Sequence, residues 1–247
     1  MSTEPAAPSG KAGRPYQSLR RAKAAADTRA TILGTAMRLF LERGYGGVTV
    51  GDIAREASIA VPTVYASTGG KSAILATLID QAQRDPVVHE TLSAVRDCTT
   101  PQDAVRVTAH GVRVDNERYH DVIQVMVAAA TLDETATATL VESDRRYRRA
   151  LAQTAHRLQE LHDLRPGMTL DQATDILWFY FGHQAWHLLV SDRQWSWDDA
   201  ERWLGEQAST ALLDPGLEQR APTRARRRRA RPRVATPTTT RTRAASA

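Results

Sequence analysis

The sequence VTVGDIAREASIAVPTVYASTGGKSAIL occupies residues 48–75 and predicts closely spaced short helices. Thr49-Val-Gly-Asp52 has the pattern of a capping box, with aspartate in the third helical position, and it opens the first short helix. Ser58-Ile-Ala60 forms a tight turn. The second short helix begins at Val61-Pro62, because proline is tolerated in the first turn of a helix, and it ends at Gly69-Gly70. Two short helices joined in this way are typical of a helix-turn-helix.

The segments on either side of this stretch have helical spacing. Asp27 or Thr28 is a suitable N-cap, and the apolar positions that follow recur at i, i+3, i+4 and i+7. Gly44 is free to adopt the left-handed conformation that ends such a helix. A longer helix begins at Lys71. We therefore predict a three-helix DNA-binding domain over residues 27–71.

The same residues resemble the DNA-binding signature of the tetracycline-repressor (TetR) family of bacterial regulators. The chain departs from it at Ser58, where glycine is usual, and at Thr68, where an aromatic residue is usual. The resemblance implies an all-α protein of about nine helices, with an N-terminal helix-turn-helix domain and a C-terminal ligand-binding and dimerisation domain. It also implies a homodimer on a palindromic operator, released by a small-molecule effector. The residues at characteristic positions are Thr49, Ile53, Ala54, Ala57, Ile59, Thr63, Tyr65 and Lys71.

The second short helix is the element expected in the major groove, where N-terminal residues of such a helix face base edges. Val61, Pro62 and Thr63 are therefore the predicted base contacts. Thr49, Tyr65 and the helix N-terminus at Lys71 are suited to phosphates, which set register. The alternative is structural: Thr49 is only a cap, and Tyr65 only braces the core.

Charge is distributed unevenly along the chain. The net charge is +5 over residues 1–71, −10 over residues 72–219 and +10 over residues 220–247. We predict a basic arm without regular structure over residues 1–26, in which Arg14 enters an A/T-rich minor groove, or is merely solvated. The Arg-rich segment from residue 215 to 247 is predicted to be disordered and either binds DNA non-specifically or keeps the tail soluble. The acidic middle is excluded as a general polyanion binder.

Residues 72–214 form the predicted ligand-binding and dimerisation domain. Five helices are expected beyond residue 86, beginning near Pro101, Tyr119, Asp133, Asp171 and Trp197. Large apolar side chains with a few polar groups are typical of a small-molecule pocket, although each residue alone is better explained by an ordinary core and only the set indicates a pocket. The predicted lining is His110, Arg113, Tyr119, Met126, Tyr147, Trp178, Phe179 and His183.

The two final helices are the predicted dimer interface. The segment Asp171–Val190 is apolar nearly all round after Ile176, which predicts burial on more than one side. All five tryptophans fall in this segment, in the helix from Trp197 or in their connection. The resemblance implies that this pair forms a four-helix bundle with the partner subunit. Dimerisation also follows from function, because one small helix-turn-helix contacts few base pairs.

Two other functions stay open at this stage. His183 and His187 lie one helical turn apart, a spacing that binds metals, with Asp175 as a distant third ligand in a metal-dependent sensor or enzyme. The Arg-rich ends suit a sequence-indifferent, nucleoid-type DNA binder. We expect no enzyme, cofactor or metal, because no HExxH, phosphate-binding loop or nucleophile–base pattern is present. The absence of a long apolar run and the single Cys98 favour a cytoplasmic protein with no membrane partner.

Overall fold

The computed structural model describes residues 14–214, which fold into eleven α-helices and one π-helical turn without a β-strand. This confirms the all-α class. None of the described helices is long and apolar enough to span a membrane. The predictions for residues 1–13 and for the Arg-rich tail lie outside the described residues. The elements are α1 (Arg14–Arg43), α2 (Val50–Glu56), α3 (Val61–Thr68), α4 (Lys71–Gln83), α5 (Val87–Asp97), α6 (Pro101–Arg118), α7 (His120–Ala130), α8 (Glu134–Glu160), α9 (Leu170–Phe181), α10 (His183–Trp186), the π-turn (His187–Asp192) and α11 (Trp197–Leu212).

The first helix begins earlier than predicted. Helix α1 starts at Arg14, so the expectation of an arm without regular structure is wrong for residues 14–26. Pro15 falls in the first turn, where its missing N–H costs no hydrogen bond, and the alanines and basic residues that follow are good helix formers. Residues 18–27 are exposed to solvent. The helix therefore extends well beyond the part that packs.

The turn between α2 and α3 is built from local hydrogen bonds. The amide of Ile59 donates to the carbonyl of Ala54 at 2.9 Å, and the amide of Ser58 donates to the carbonyl of Arg55 at 3.2 Å. This pattern is a Schellman motif, which needs a left-handed residue after the helix. Ser58 supplies it with a φ of 57°. Gly44, after α1, has a φ of 73°, as predicted.

Two hydrophobic cores stabilise the fold. The first joins α1–α4 to α7 and the start of α8, and it is centred on Ile32, Leu39, Phe40, Ile53 and Ile74. The second joins α5, α6, α8, α9, α10 and α11 and includes Leu158, Leu177, Phe181, Trp186 and Leu204. Helix α4 connects the helix-turn-helix to the remaining helices and contributes to the first core.

The region beyond α4 differs from the prediction at two elements. Helix α5 was not expected, because Val87, Val88 and Thr91 are β-branched and disfavour a helix locally, whereas packing against α6 stabilises one here. The predicted helix over 171–190 is interrupted at Gly182, whose ψ of 152° is extended. A Cβ on Gly182 would lie 2.5 Å from the carbonyl oxygen of Trp178, so only glycine allows this close approach.

Candidate nucleic-acid interface and central cavity

Helix α3 presents the predicted base-contacting residues to solvent. Val61, Pro62 and Thr63 are exposed at its N-terminus, and Tyr65, one turn further, is 54% exposed. Val64 is fully buried on the opposite side and anchors the helix in the first core. The exposure of Tyr65 does not fit the alternative that it only braces the core. Contact with DNA stays a prediction for all four exposed residues.

Thr49 and Asp52 form the capping box that the sequence predicts. The Thr49 hydroxyl donates to the Asp52 carboxylate at 2.6 Å, the Thr49 amide donates to it at 3.0 Å, and the Asp52 amide donates to the Thr49 hydroxyl at 3.1 Å. The Thr49 hydroxyl and amide, with help from Arg55, hold the pKa of Asp52 well below its usual range. Both donors of Thr49 are used inside the box. The structure therefore favours the cap role, in which Thr49 positions α2.

The side chain of Lys71 is engaged within the protein. Its ammonium donates to the carbonyl of Tyr45 at 2.9 Å and lies 4.2 Å from the centre of the Tyr45 ring. The predicted phosphate contact therefore falls to the backbone at the N-terminus of α4, where the first amides have no helical partner. The side chain of Arg14, the predicted minor-groove contact, is outside the described part of the chain.

Arg29 is a structural residue of this region that sequence reasoning did not identify. Its guanidinium donates to the carbonyl of Ser67 at the end of α3 and to the hydroxyl of Thr77 on α4 at 3.2 Å. These contacts link α1 to α3 and α4. No local sequence pattern predicts these hydrogen bonds, because the partners lie 38 and 48 residues away.

Asp133 joins the helix-turn-helix to the rest of the protein. One carboxylate oxygen caps α8 by accepting from the amide of Ala136 at 3.1 Å. The other oxygen accepts from the hydroxyl of Tyr45 at 2.8 Å and from that of Ser72 at 2.6 Å. These hydroxyls and the Ala136 amide lower the pKa of Asp133 to about 2. Burial raises the pKa of Tyr45 to about 12, so both partners keep the protonation states that this contact needs near neutral pH.

A cavity of about 180 Å³ lies where the first and second cores meet. Ile79, Ala82 and Gln83 line it from α4, which also carries the helix-turn-helix at its other end. Val88 of α5, residues of α6, α7 and α8 with Tyr119 between α6 and α7, and His183 form the remaining walls. An occupant would therefore touch the helix that positions α3.

Half of the predicted lining is found at this cavity. Tyr119, Met126, Tyr147 and His183 line it. Trp178 does not; its ring packs edge-on against the rings of Tyr147 and His183, at 5.5 and 6.0 Å between centroids.

Three further residues of the predicted lining do not line this cavity. Phe179 is 72% exposed on the outer side of α9. His110 lies 3.2 Å from Glu201, and Arg113 lies 2.8 Å from Asp198, so both pair with α11 at the surface. Helical spacing brought these residues close to the right helices, but it did not show which side of each helix faces the cavity.

Sequence reasoning missed two carboxylates that line the cavity, Asp115 on α6 and Asp144 on α8. Burial raises the pKa of Asp115 to about 6, assisted by the nearby charge of Asp85. Burial also raises the pKa of Asp144, against the opposing influence of His183. A signal was present in the sequence: each aspartate lies on the apolar stripe of its helix, where a charged residue is costly without a partner.

A family model described as bacterial regulatory proteins, tetR family, matches residues 32–78, which include the whole helix-turn-helix. Over this helix-turn-helix segment, the chain is similar to the family. TetR-family proteins are DNA-binding regulators of transcription, and they are not enzymes.

Solved structures share the fold of this chain. NalD, the secondary repressor of the MexAB-OprM multidrug efflux pump in Pseudomonas aeruginosa, is 18% identical with a TM-score of 0.62, over 78% of this chain and 99% of NalD. SmeT in complex with triclosan is 19% identical with a TM-score of 0.59, over 77% and 94%. A transcriptional regulator from Saccharomonospora viridis in complex with choline is 18% identical with a TM-score of 0.59, over 76% and 99%. None of the curated protein sequences compared with the chain matches it.

The last helices of the chain carry exposed apolar residues. One side of α9 and α11 packs into the second core, where Trp186 stacks on Trp197 at 5.8 Å. The prediction of burial on more than one side is not met within a single chain. The exposed apolar residues of this region are Phe179, Leu188, Trp195 and Trp203.

The histidines of the alternative metal site have different neighbours in the structure. His183 faces Asp144 at 3.8 Å, whereas His187 lies in the π-turn, 3.7 Å from Asp192. Asp175, the third predicted ligand, pairs with Arg148 at 2.5 Å. Within residues 14–214, no group of three His, Cys, Asp or Glu side chains is placed to hold a metal ion.

Proposed function

We propose that this protein is a sequence-specific transcriptional repressor that a small molecule releases from its operator. The observation that carries this proposal is the exposed outer side of α3, with Val61, Pro62, Thr63 and Tyr65 presented on a scaffold whose own polar groups are paired. Such a helix fits the major groove with its N-terminal residues at base edges. We expect the protein to act in the cytoplasm.

A homodimer would double the recognition site. The exposed residues Phe179, Leu188, Trp195 and Trp203 support a partner surface on α9, the π-turn and α11, since contiguous exposed apolar patches mark interaction sites. A twofold dimer places its two α3 helices in successive major grooves about 34–36 Å apart. The operator is therefore expected to be palindromic.

The cavity supports regulation by a small molecule. Ile79 and Ala82 of α4 form part of its wall, so an occupant that shifts α4 also shifts the helix-turn-helix. Release needs an occupant that prefers the DNA-incompetent arrangement, by about 1–3 kcal/mol in typical allosteric proteins. Small-molecule complexes of similarly folded proteins, with triclosan in SmeT and with choline in the S. viridis regulator, are consistent with this role.

Selection of bound sequences from random duplex DNA tests the proposed function. We expect a single palindromic motif, protected in footprinting over both half-sites. The same selection with residues 217–247 deleted separates this function from sequence-indifferent binding. The truncated protein should keep its motif, and its affinity should depend less steeply on salt if the tail contacts phosphates. A truncated protein that binds all duplexes equally would contradict the proposal.

A further inference from the structure

Several hydrogen-bond donors of the cavity wall are used within the protein. The hydroxyl of Tyr119 donates to Asp85 at 2.6 Å, and that of Tyr147 donates to the carbonyl of Phe181 at 2.8 Å. The amide of Asn116 donates to a backbone carbonyl one turn earlier, at 2.9 Å. Both tyrosine hydroxyls and one N–H of the Asn116 side chain are therefore used inside the protein. An occupant meets their rings and remaining acceptor atoms.

The arginines near the cavity are already paired with other acids. Arg118 lies 2.6 Å from Asp85. Arg146 lies 3.3 Å from Glu142, and it also donates to the side-chain carbonyl of Gln83 at 2.7 Å. Both arginine side chains are more than half exposed, so they lie toward the solvent side of the cavity. The charge of Arg118 also opposes the rise in the pKa of Asp115.

Two carboxylates are left without a hydrogen-bond donor. Among the described residues, none donates to the carboxylate of Asp115 or of Asp144. His183 lies 3.8 Å from Asp144, and burial lowers the pKa of this histidine, which favours its neutral form. Only the charge of Arg118 opposes the burial of Asp115, and Asp144, whose side chain is 34% exposed, has only His183 beside it. Two carboxylates thus line the cavity without a hydrogen bond, an arrangement that is costly when the cavity is empty.

We propose that this cavity binds a small organic cation, a protonated amine or quaternary ammonium group on an apolar body, with Asp115 and Asp144 as its counter-ions. A positive charge would compensate both carboxylates where water is partly excluded and electrostatic interactions are strong. The rings of Tyr119 and Tyr147 add cation–π surface, and Ile79 and Met126 contact the apolar part. A neutral occupant leaves the acids uncompensated, and an anion is repelled by them. The inference rests on the proposed function only in taking this cavity as the effector site.

Calorimetric titration of the full chain without DNA tests the charge of the occupant. The probes are benzyltrimethylammonium, 3-phenylpropanamide and 3-phenylpropanoate, which have equal numbers of non-hydrogen atoms but are cationic, neutral and anionic. We expect the cation to bind at least about tenfold more tightly than the amide, and the carboxylate to bind most weakly. Equal affinity for the cation and the amide, or absent binding of the cation, would overturn the proposal.

Two nearly isosteric variants locate the charge recognition. Asp115→Asn and Asp144→Asn should each weaken binding of benzyltrimethylammonium about tenfold or more, and leave binding of the amide unchanged. Asp97→Asn removes an equal charge from the exposed end of α5 and should leave both affinities unchanged. If neither cavity variant weakens binding of the cation, the proposal is wrong.

Thermal unfolding without ligand provides an independent check of the uncompensated charge. Asp115→Asn should unfold at a higher temperature than the wild-type protein, because it removes a carboxylate that is desolvated without a partner. A lower midpoint would contradict this account of Asp115. Weak binding of the cation by such a destabilised variant would then not support the proposal.

Release of the selected operator is measured separately. If the cation binds as expected but leaves the operator complex intact, effector-controlled repression fails while the cavity chemistry stands. If a neutral or anionic molecule releases the operator equally from the wild-type protein and both asparagine variants, the proposed function stands and the cationic occupant is rejected.

Discussion

The helix-turn-helix and the cavity use polar residues in opposite ways. In the helix-turn-helix, Thr49 and Asp52 satisfy each other within one turn, and the turn at Ser58 is closed by backbone bonds. At the cavity, Asp115 and Asp144 line an apolar space without a donor among the described residues. A DNA-binding surface needs a scaffold that is complete before the ligand arrives. A small-molecule site, in contrast, leaves polar groups that the ligand itself completes.

The two regions meet at α4 and Asp133. Helix α4 contributes to the first core and also lines the cavity, while Asp133 links α8 to Tyr45 and Ser72. Rigid elements with packed contacts on both sides carry coupling between sites. The contrast between a complete scaffold and an incomplete pocket can therefore be tested at the junction first.

Replacement of Asp133 by alanine should have the largest effect, a loss of about 3 kcal/mol in the free energy of unfolding. It removes a helix cap and leaves two part-buried hydroxyls without their acceptor. Thr100→Ala is the matched control, because Thr100 caps α6 without joining two regions, and it should cost about 1 kcal/mol. Urea unfolding of both variants measures the difference. Equal losses would show that the contact across the junction contributes nothing.

The contribution of Asp133 should also depend on pH. Its pKa falls from 3.8 to about 2 on folding, so its stabilisation is complete above pH 3.8 and is lost as the pH falls through about 2. The difference in stability between wild type and Asp133→Ala should therefore shrink between pH 5 and about pH 2. A difference that is constant over this range would contradict an ionised contact.

Two glycine replacements compare a position where the backbone leaves no room for a side chain with one where it does. Gly182→Ala should destabilise the protein by about 1–3 kcal/mol, since its Cβ would collide with the carbonyl of Trp178. Gly34→Ala, on the exposed side of α1 with open space around it, should stabilise by about 0.5–1 kcal/mol through helix propensity. Thermal unfolding measures both. Opposite signs are expected, and a neutral Gly182→Ala would mean that the break after α9 does not require glycine.

Tyr65→Ala should weaken operator binding about tenfold, because an exposed aromatic side chain on the DNA-facing helix would be lost. Dimerisation should be unchanged. Tyr65→Phe keeps the ring and distinguishes the hydroxyl from the ring: a phosphate contact through the hydroxyl predicts that both variants lose affinity equally. Titration of labelled operator at matched salt checks these values. Equal affinity of the wild-type protein and Tyr65→Ala would reject the assigned role.

The smallest effect is expected at the turn. Ser58→Gly should raise the free energy of unfolding by about 0.5–1 kcal/mol, because a left-handed φ of 57° is strained for serine and natural for glycine. Operator affinity should be unchanged, since the turn geometry is already the one that glycine would adopt. A loss of stability would mean that the entropy of glycine outweighs the relieved strain.

Local spacing allowed much of the helix-turn-helix to be predicted. The capping box at Thr49, the proline in the first turn of α3 and the left-handed Ser58 and Gly44 involve partners within about one helical turn, which the geometry of a helix fixes. The start of α1 was the exception. Good N-cap residues at Asp27 and Thr28 predicted a boundary, but the preceding residues are themselves good helix formers.

The cavity could be predicted only in part. Tyr119 and Tyr147 were predicted because they are large aromatic residues of the middle helices, and both line the cavity. Phe179 was predicted for the same reason, but it is exposed to solvent. The engagement of Lys71 with Tyr45 and the break at Gly182 depend on neighbours that a periodic pattern does not specify.

By itself, the sequence determined the helical class, the caps and turns of the DNA-binding region, and the basic and acidic segments. These follow from interactions between residues that are close in the chain. Only the tertiary structure decided which side of each long helix faces the cavity, and that Asp115 and Asp144 line it together. The physical reason is that helix packing, which sets these directions, depends on contacts between residues far apart in sequence.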